Sequence, residues 1–174
     1  MKAFRFLLVC VILCATSLAQ PPAAKHAPSS RYQPVLKYDP ARNPSADLQA
    51  AIQEAQRTGR NILIDVGGNW CVWCRAMDNF FEKNPDVAAL RDKNFVWMKV
   101  NFSRENTNQK FLSQYPRIAG YPNIFVLDNT GALLYNEDTS NLESKPAPSY
   151  SREAFIKFLE KWSPSQTRGI HLKR

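Results

Sequence analysis

The sequence is short of cysteine, shorter still of histidine, and has no apolar stretch of membrane-spanning length. Four cysteines occur in 174 residues, and two of them, Cys10 and Cys14, fall within the first fourteen positions. A disulfide-dense scaffold is therefore excluded. The two histidines, His26 and His171, stand nearly at opposite ends in segments that read as unstructured. With two cysteines they make a poor four-ligand zinc set, so no metal is expected. Phe6 to Cys14 is an unbroken apolar run of nine, where a spanning helix needs roughly 20. No internal repeat occurs. Apolar residues at 44% and charged residues at 22% exclude a wholly disordered or collagen-like chain. The length suits one ordinary domain.

What the first nineteen residues do contain is an address. Lys2 and Arg5 precede the apolar run, and Ser17-Leu18-Ala19 places small residues at the −3 and −1 positions of a cleavage site. This is the pattern of a secretory signal peptide, expected to be cleaved at Ala19, with no stable membrane insertion afterwards. Lipid attachment at Cys14 is disfavoured by the bulk of Leu13. Cleavage removes Lys2 and Arg5 and takes the formal charge from +8 to +6. Lys and Arg are spread along the chain without a recognition motif, so a solvated basic surface is expected and nucleic acid is not. Cleavage also removes Cys10 and Cys14. Only Cys71 and Cys74 remain, in a chain bound for an oxidising compartment, secreted and periplasmic.

The mature chain divides by composition. Residues 20–44 carry six prolines and read as an extended leader, with Tyr32, Val35, Leu36 and Tyr38 able to pack on the domain edge. Ser45 is the expected cap of a helix showing Leu48, Ala51, Ile52 and Ala55 on one face and ending at Gly59. Asn61–Val66 and Phe95–Phe102 are apolar, β-branched runs and read as strands. Between them, one helix starts at Cys71 and a second at Asn84-Pro85. A helix is expected over Asn106–Tyr115. Ile124–Leu127 and Ala132–Tyr135 form a hairpin around Asp128-Asn129-Thr130-Gly131. Asn136–Tyr150 reads as a polar loop. Ser151 caps a last helix carrying Phe155, Phe158, Leu159 and Trp162, and residues 163–174 read as a flexible basic tail. The order, α-β-α-β-α-β-β-α, predicts an α/β fold with a central mixed sheet flanked by helices, spanning residues 45–162.

Trp70-Cys71-Val72-Trp73-Cys74 lies where a strand hands over to a helix. Unpaired amide groups and the positive dipole end at a helix N-terminus stabilise a thiolate at Cys71. Cys74, less than one turn on, can attack a mixed disulfide at Cys71 and release the partner. Cys71 is thus the expected nucleophile and Cys74 the resolving thiol. A disulfide between them would close too small a loop to be a useful staple.

Ile62-Leu63-Ile64-Asp65 followed by this motif resembles the active-site strand of the thioredoxin superfamily. In particular it is similar to the secreted branch that includes the C-terminal domain of the transmembrane thiol-disulfide interchange reductase. Asp65 stands six residues before Cys71, Lys99 in the next core strand matches the lysine accompanying that aspartate, and Tyr121-Pro122 matches the cis-proline site. The resemblance implies a thioredoxin-like fold, exchange chemistry without a bound cofactor, and roles for these residues. Asp65, desolvated among apolar neighbours, would accept the proton of Cys74; an edge aspartate in water is the alternative. Lys99 would modulate that carboxylate, or else lie solvated at an edge. Trp70, Trp73, Tyr121 and Pro122 would face substrate, although either tryptophan could equally be packing. Val72-Trp73 replaces the Gly-Pro of ordinary thioredoxin, so the redox potential does not carry over. Gly67 and Gly68 stand where bulkier residues are usual, opening or loosening the site.

The expected function is a protein thiol-disulfide oxidoreductase, with the reductase direction preferred. Its partners would be exported proteins bearing thiols or disulfides, with a membrane electron donor as a further partner. The alternative is a thioredoxin-like docking or chaperone module whose disulfide does not cycle.

Overall fold

The computed structural model describes residues 32–168. The expected signal segment, the first part of the leader (residues 20–31), both histidines and the last residues of the tail lie outside them. Helix α1 (Pro44–Thr58) starts two residues earlier than expected. Pro44 has no N–H to satisfy and a fixed φ suited to the first helical position, so the capping role falls to Asn43 and not to Ser45. The Asn43 side chain accepts from the backbone N–H of Ser45 and Ala46 at 3.0 and 3.3 Å. Gly59, at φ 70°, ends the helix in the left-handed conformation.

Strand β1 (Asn61–Gly67) lies at the centre of a four-stranded sheet. It pairs in parallel with β2 (Phe95–Asn101) and antiparallel with β3 (Asn123–Leu127), which pairs antiparallel with β4 (Leu133–Asp138). The order β2-β1-β3-β4 is a mixed sheet, as the α/β expectation required. All residues of β1, β2 and β3 are buried, which is why those segments read as continuous apolar runs. Alternation along β1 divides the core. Ile62, Ile64 and Val66 pack with Ala51 and Ala55 of α1, while Leu63 packs with Phe81, Trp97, Phe155 and Leu159 on the other face. Asp65 shares the Leu63 face, so the pleat directs it toward the second helix layer.

That layer comprises α2 (Val72–Lys83), α3 (Pro85–Asn94) and α5 (Arg152–Lys161). The Ser151 hydroxyl caps α5, as expected, accepting from Ala154 N–H at 3.2 Å. Among the described residues no helix is long and apolar enough to cross a membrane.

Four expectations are corrected. The helix over residues 106–115 shrinks to α4 (Gln109–Leu112). Asn108 adopts φ 49°, and Asn106 Oδ1 accepts its N–H at 2.9 Å, so asparagine side chains hold the preceding residues as a turn. Residues 136–150 are not merely a loop: they hold a 3-10 turn (Thr139–Leu142) and a small hairpin, β5 (Glu143–Ser144) with β6 (Ser149–Tyr150). Their buried Thr139, Leu142 and Tyr150 are too scattered to produce a period. The tail begins ordered, as α6 (Pro164–Thr167), because buried Asn61 donates from Nδ2 to the Trp162 carbonyl (2.9 Å) and to Thr167 Oγ1 (2.8 Å). In the leader, Val35 bridges to Met98 in parallel and Tyr38 is buried, whereas Leu36 stays exposed.

Phe155 joins the helical layer to the sheet. Its ring stacks on Phe80 at 4.7 Å and meets the edges of Phe81 and Tyr150 at 5.1 and 5.4 Å. Phe155→Ala is expected to lower the unfolding free energy by about 3–5 kcal/mol in urea titration, with the helical content of the folded protein unchanged.

Candidate functional site

The site forms where β1 ends. Gly67 and Gly68 lead into a turn in which Cys71 N–H donates to the Gly68 carbonyl at 3.0 Å, and Cys71 becomes the N-cap of α2. Its sulfur accepts from the Cys74 backbone N–H at 3.1 Å. Both cysteines are free thiols. The hydrogen bond from the Cys74 thiol, with the backbone N–H groups of Cys74 and Trp73, outweighs burial and the charge of Asp65, and brings the Cys71 thiol down to about 7. Cys74 moves the opposite way: donation to Cys71, burial and the Asp65 charge all raise it. Cys71 therefore ionises first. It is more enclosed than expected, at 4% exposure, because Tyr38, Cys74, Trp73 and Tyr121 pack around it. Its Sγ also donates to the Tyr121 carbonyl at 3.4 Å.

Beneath the sulfurs lies a buried charge cluster. Asp65 is fully buried, and Lys99 is its register partner on β2. Lys99 Nζ reaches Asp65 Oδ2 at 2.8 Å and Asp78 Oδ1 at 2.7 Å. Burial opposes the Lys99 ammonium, but the charges and hydrogen bonds of Asp65 and Asp78 prevail and raise it. Of the two positions considered for each residue, the buried pair is the one present. The Tyr38 hydroxyl donates to Asp65 Oδ1 at 2.7 Å, and the Tyr38 ring lies 4.1 Å from Lys99 Nζ.

The expected aromatic residues separate into two kinds. Trp70 is 56% exposed, its Nε1 donates to the Phe102 carbonyl at 2.7 Å, and its ring meets Tyr121 edge-on at 5.7 Å. Tyr121 in turn stacks on Phe102 at 4.7 Å. Trp73 faces inward, half-buried against Tyr150 at 5.5 Å. The Tyr121-Pro122 peptide is cis, Pro122 is buried, and its carbonyl accepts from the Thr139 hydroxyl at 2.5 Å.

Gly67 and Gly68 tighten the site and do not loosen it. A Cβ on Gly67 would lie 2.5 Å from Cys74 Sγ and 2.9 Å from the Tyr38 hydroxyl. One on Gly68 would lie 2.5 Å from Trp70 Nε1 and 2.7 Å from the Phe102 carbonyl. Among the described residues, no group of three or more His, Cys, Asp or Glu side chains could hold a metal. Sequence reasoning missed Tyr38, Asp78, Phe102 and Thr139. Asp78 had a usable signal, one helical turn beyond Cys74; Tyr38 read as an aromatic able to pack on the domain edge, with nothing to place it at the site.

A family model described as Thioredoxin-like matches residues 43–129. The thiol:disulfide interchange protein DsbD of Colwellia psychrerythraea is 25% identical over 96 residues, covering 55% of this chain and 16% of the relative. The chain thus spans about a sixth of that relative's length. The thiol:disulfide interchange protein DsbE of Tatumella citrea is 28% identical over 115 residues, covering 59% of this chain and 60% of the relative. Among solved structures, a disulphide isomerase from Xylella fastidiosa Temecula1 superposes with a TM-score of 0.60 at 26% identity, covering 71% of this chain and 94% of that one. The oxidised DsbD C-terminal domain of Neisseria meningitidis shares the fold at 17% identity and TM-score 0.53, covering 69% and 96%.

Ionisation of Cys71 sets a pH dependence that can be read directly. Alkylation of the reduced protein by iodoacetamide should fall off below about pH 7, where the thiolate is protonated, and plateau above it. Peptide mapping should find the label on Cys71 and not on Cys74. A midpoint near the free-thiol value of about 8.5 contradicts this assignment.

Proposed function

The chain belongs to the thioredoxin-like family, and on that footing we propose that it is a secreted, periplasmic thiol-disulfide oxidoreductase working in the reducing direction on exported proteins. The observation that carries this reading is the asymmetry of the two sulfurs. Cys71 is held toward thiolate at a helix N-terminus, and Cys74 is kept protonated directly behind it.

In the proposed cycle the Cys71 thiolate attacks one sulfur of a partner disulfide. A mixed disulfide forms, and the electron pair of the broken bond leaves on the partner's second sulfur, which takes a proton. Cys74 then loses its proton to Asp65 and attacks Cys71 Sγ. The bond to the partner breaks, the Cys71–Cys74 disulfide forms, and the partner departs as a dithiol. An external dithiol, in this reading a membrane electron donor, returns the two electrons. No bound cofactor is needed, since both electrons pass between sulfurs. Trp70 and Tyr121 would meet the partner, and the exposure of Trp70 beside the motif supports that. The signal-like segment supports the compartment.

The names of the relatives support interchange chemistry, and the likeness to the Xylella disulphide isomerase supports disulfide isomerisation as a second reading. In that case resolution by Cys74 would be an escape from stalled complexes and not the productive step. A docking module with a locked disulfide is less well supported, because a static bridge has no use for a sulfur poised to ionise near neutrality.

Insulin reduction by dithiothreitol should be accelerated by the wild-type protein, while Cys71→Ser should return it to the uncatalysed rate. Cys74→Ser, expressed in a bacterial periplasm, should accumulate mixed disulfides visible on non-reducing gels and absent after reduction. Equal insulin rates for wild type and Cys71→Ser would leave the docking module as the better account.

A further inference from the structure

Tyr38 precedes both α1 and the family-matched stretch of residues 43–129, yet its side chain ends inside the site. The segment bearing it is tied to the sheet edge: Lys99 N–H donates to the Val35 carbonyl at 2.9 Å, and Val35 bridges to Met98. Three residues later the chain delivers a buried phenol whose hydroxyl donates to Asp65 Oδ1. If Tyr38 only filled space, its hydroxyl would be a polar group buried for no gain.

We propose that Tyr38 is a positioning residue for the Cys74–Asp65 pair, its hydroxyl holding the Asp65 carboxylate as an anion turned toward the resolving thiol. This inference rests on the disulfide-exchange reading. Lys99 occupies Oδ2 and Tyr38 occupies Oδ1, so the plane of the carboxylate is fixed from both ends. Each oxygen keeps a second lone pair, which is where a proton can be received. Gly67 leaves no side chain between the Tyr38 hydroxyl and Cys74 Sγ: both atoms border the same point beside it. Burial and the Asp65 charge push the phenol far above its ordinary range, so it remains a neutral donor throughout the working pH.

The charged and titratable groups facing this pair are few. Lys99 comes from β2, Cys71 and Asp78 from α2, and Tyr150 from β6, whose own hydroxyl points to the Trp73 carbonyl at 3.4 Å. The β3 residue in register with Asp65 is Ile124, which does not titrate. Of these groups, Lys99 and Tyr38 donate to Asp65, and Tyr38 is the neutral one. Removing a donor from a buried anion favours the protonated state, so the shared proton should leave the Cys74–Asp65 pair only at higher pH.

Stopped-flow mixing of the reduced protein with Ellman's reagent separates the two steps. The first release of thionitrobenzoate reports attack by Cys71, and the second reports resolution by Cys74. In Tyr38→Phe the midpoint of the second phase against pH should rise by about one unit, a roughly tenfold slower resolution below it, as expected for a hydrogen bond to a charged group. Replacing Tyr38 with 3-fluorotyrosine, a stronger donor of nearly the same shape, should move the midpoint down, and it decides the matter if the phenylalanine variant does not fold. A role in packing alone would change the melting temperature and leave both midpoints at the wild-type value, which would overturn the proposal. A wild-type protein with no second phase would sink the exchange reading, and this inference with it.

Discussion

A carboxylate cut off from water survives in a folded protein only if donors surround it, and Asp65 is such a group. Its pairing demands explain much of the architecture. The parallel register of β1 and β2 sets Lys99 directly beside it, and the pleat turns both toward α2. The N-terminal segment must lie along β2 to bring Tyr38 within reach. Asp78 adds a second anion, so that one buried ammonium serves two carboxylates. The hydrogen bond from the Cys74 thiol to Cys71 keeps Cys74 protonated and draws Cys71 toward ionisation; burial and the Asp65 charge add to the first effect, and the N–H groups of the helix terminus to the second. The reactivity of the sulfur pair thus rests on the hydrogen bond between the two thiols, biased by the helix terminus and by the charge beneath them.

The Asp65 charge opposes ionisation of both thiols, and geometry sets how far that opposition is offset at each. Cys71 caps the helix and receives its N–H groups, whereas Cys74 lies within the first turn, over Asp65, and receives the field of the carboxylate. A single shared environment would bring the two thiols together; two environments three residues apart separate them. In the proposed exchange that separation would set the order of the two steps.

The strands, the helix after Cys71 and the four residues Cys71, Cys74, Asp65 and Lys99 were legible because each leaves a local trace: an apolar run, a capping position, or a charge inside an apolar strand. Tyr38 was legible as an aromatic able to pack on the domain edge but not as a partner of Asp65, which lies 27 residues away in sequence. The hairpin of β5 and β6 is too short to show alternation. The start of the tail docks through one asparagine at the head of β1, a contact that composition cannot reveal. Glycines 67 and 68 were legible as punctuation but not as space, because what they accommodate arrives from residues 38, 70, 74 and 102.

The hydrogen bond from the Trp70 indole to the Phe102 carbonyl has a thermodynamic meaning for encounter. Large exposed side chains ordinarily surrender rotational freedom when a second molecule covers them, and that loss weakens association. Here the loss has been incurred during folding, with Gly68 leaving the room for it. In the proposed exchange an incoming polypeptide would meet an already ordered ring at the lip of the sulfur site, and contact with it would carry little further entropic cost.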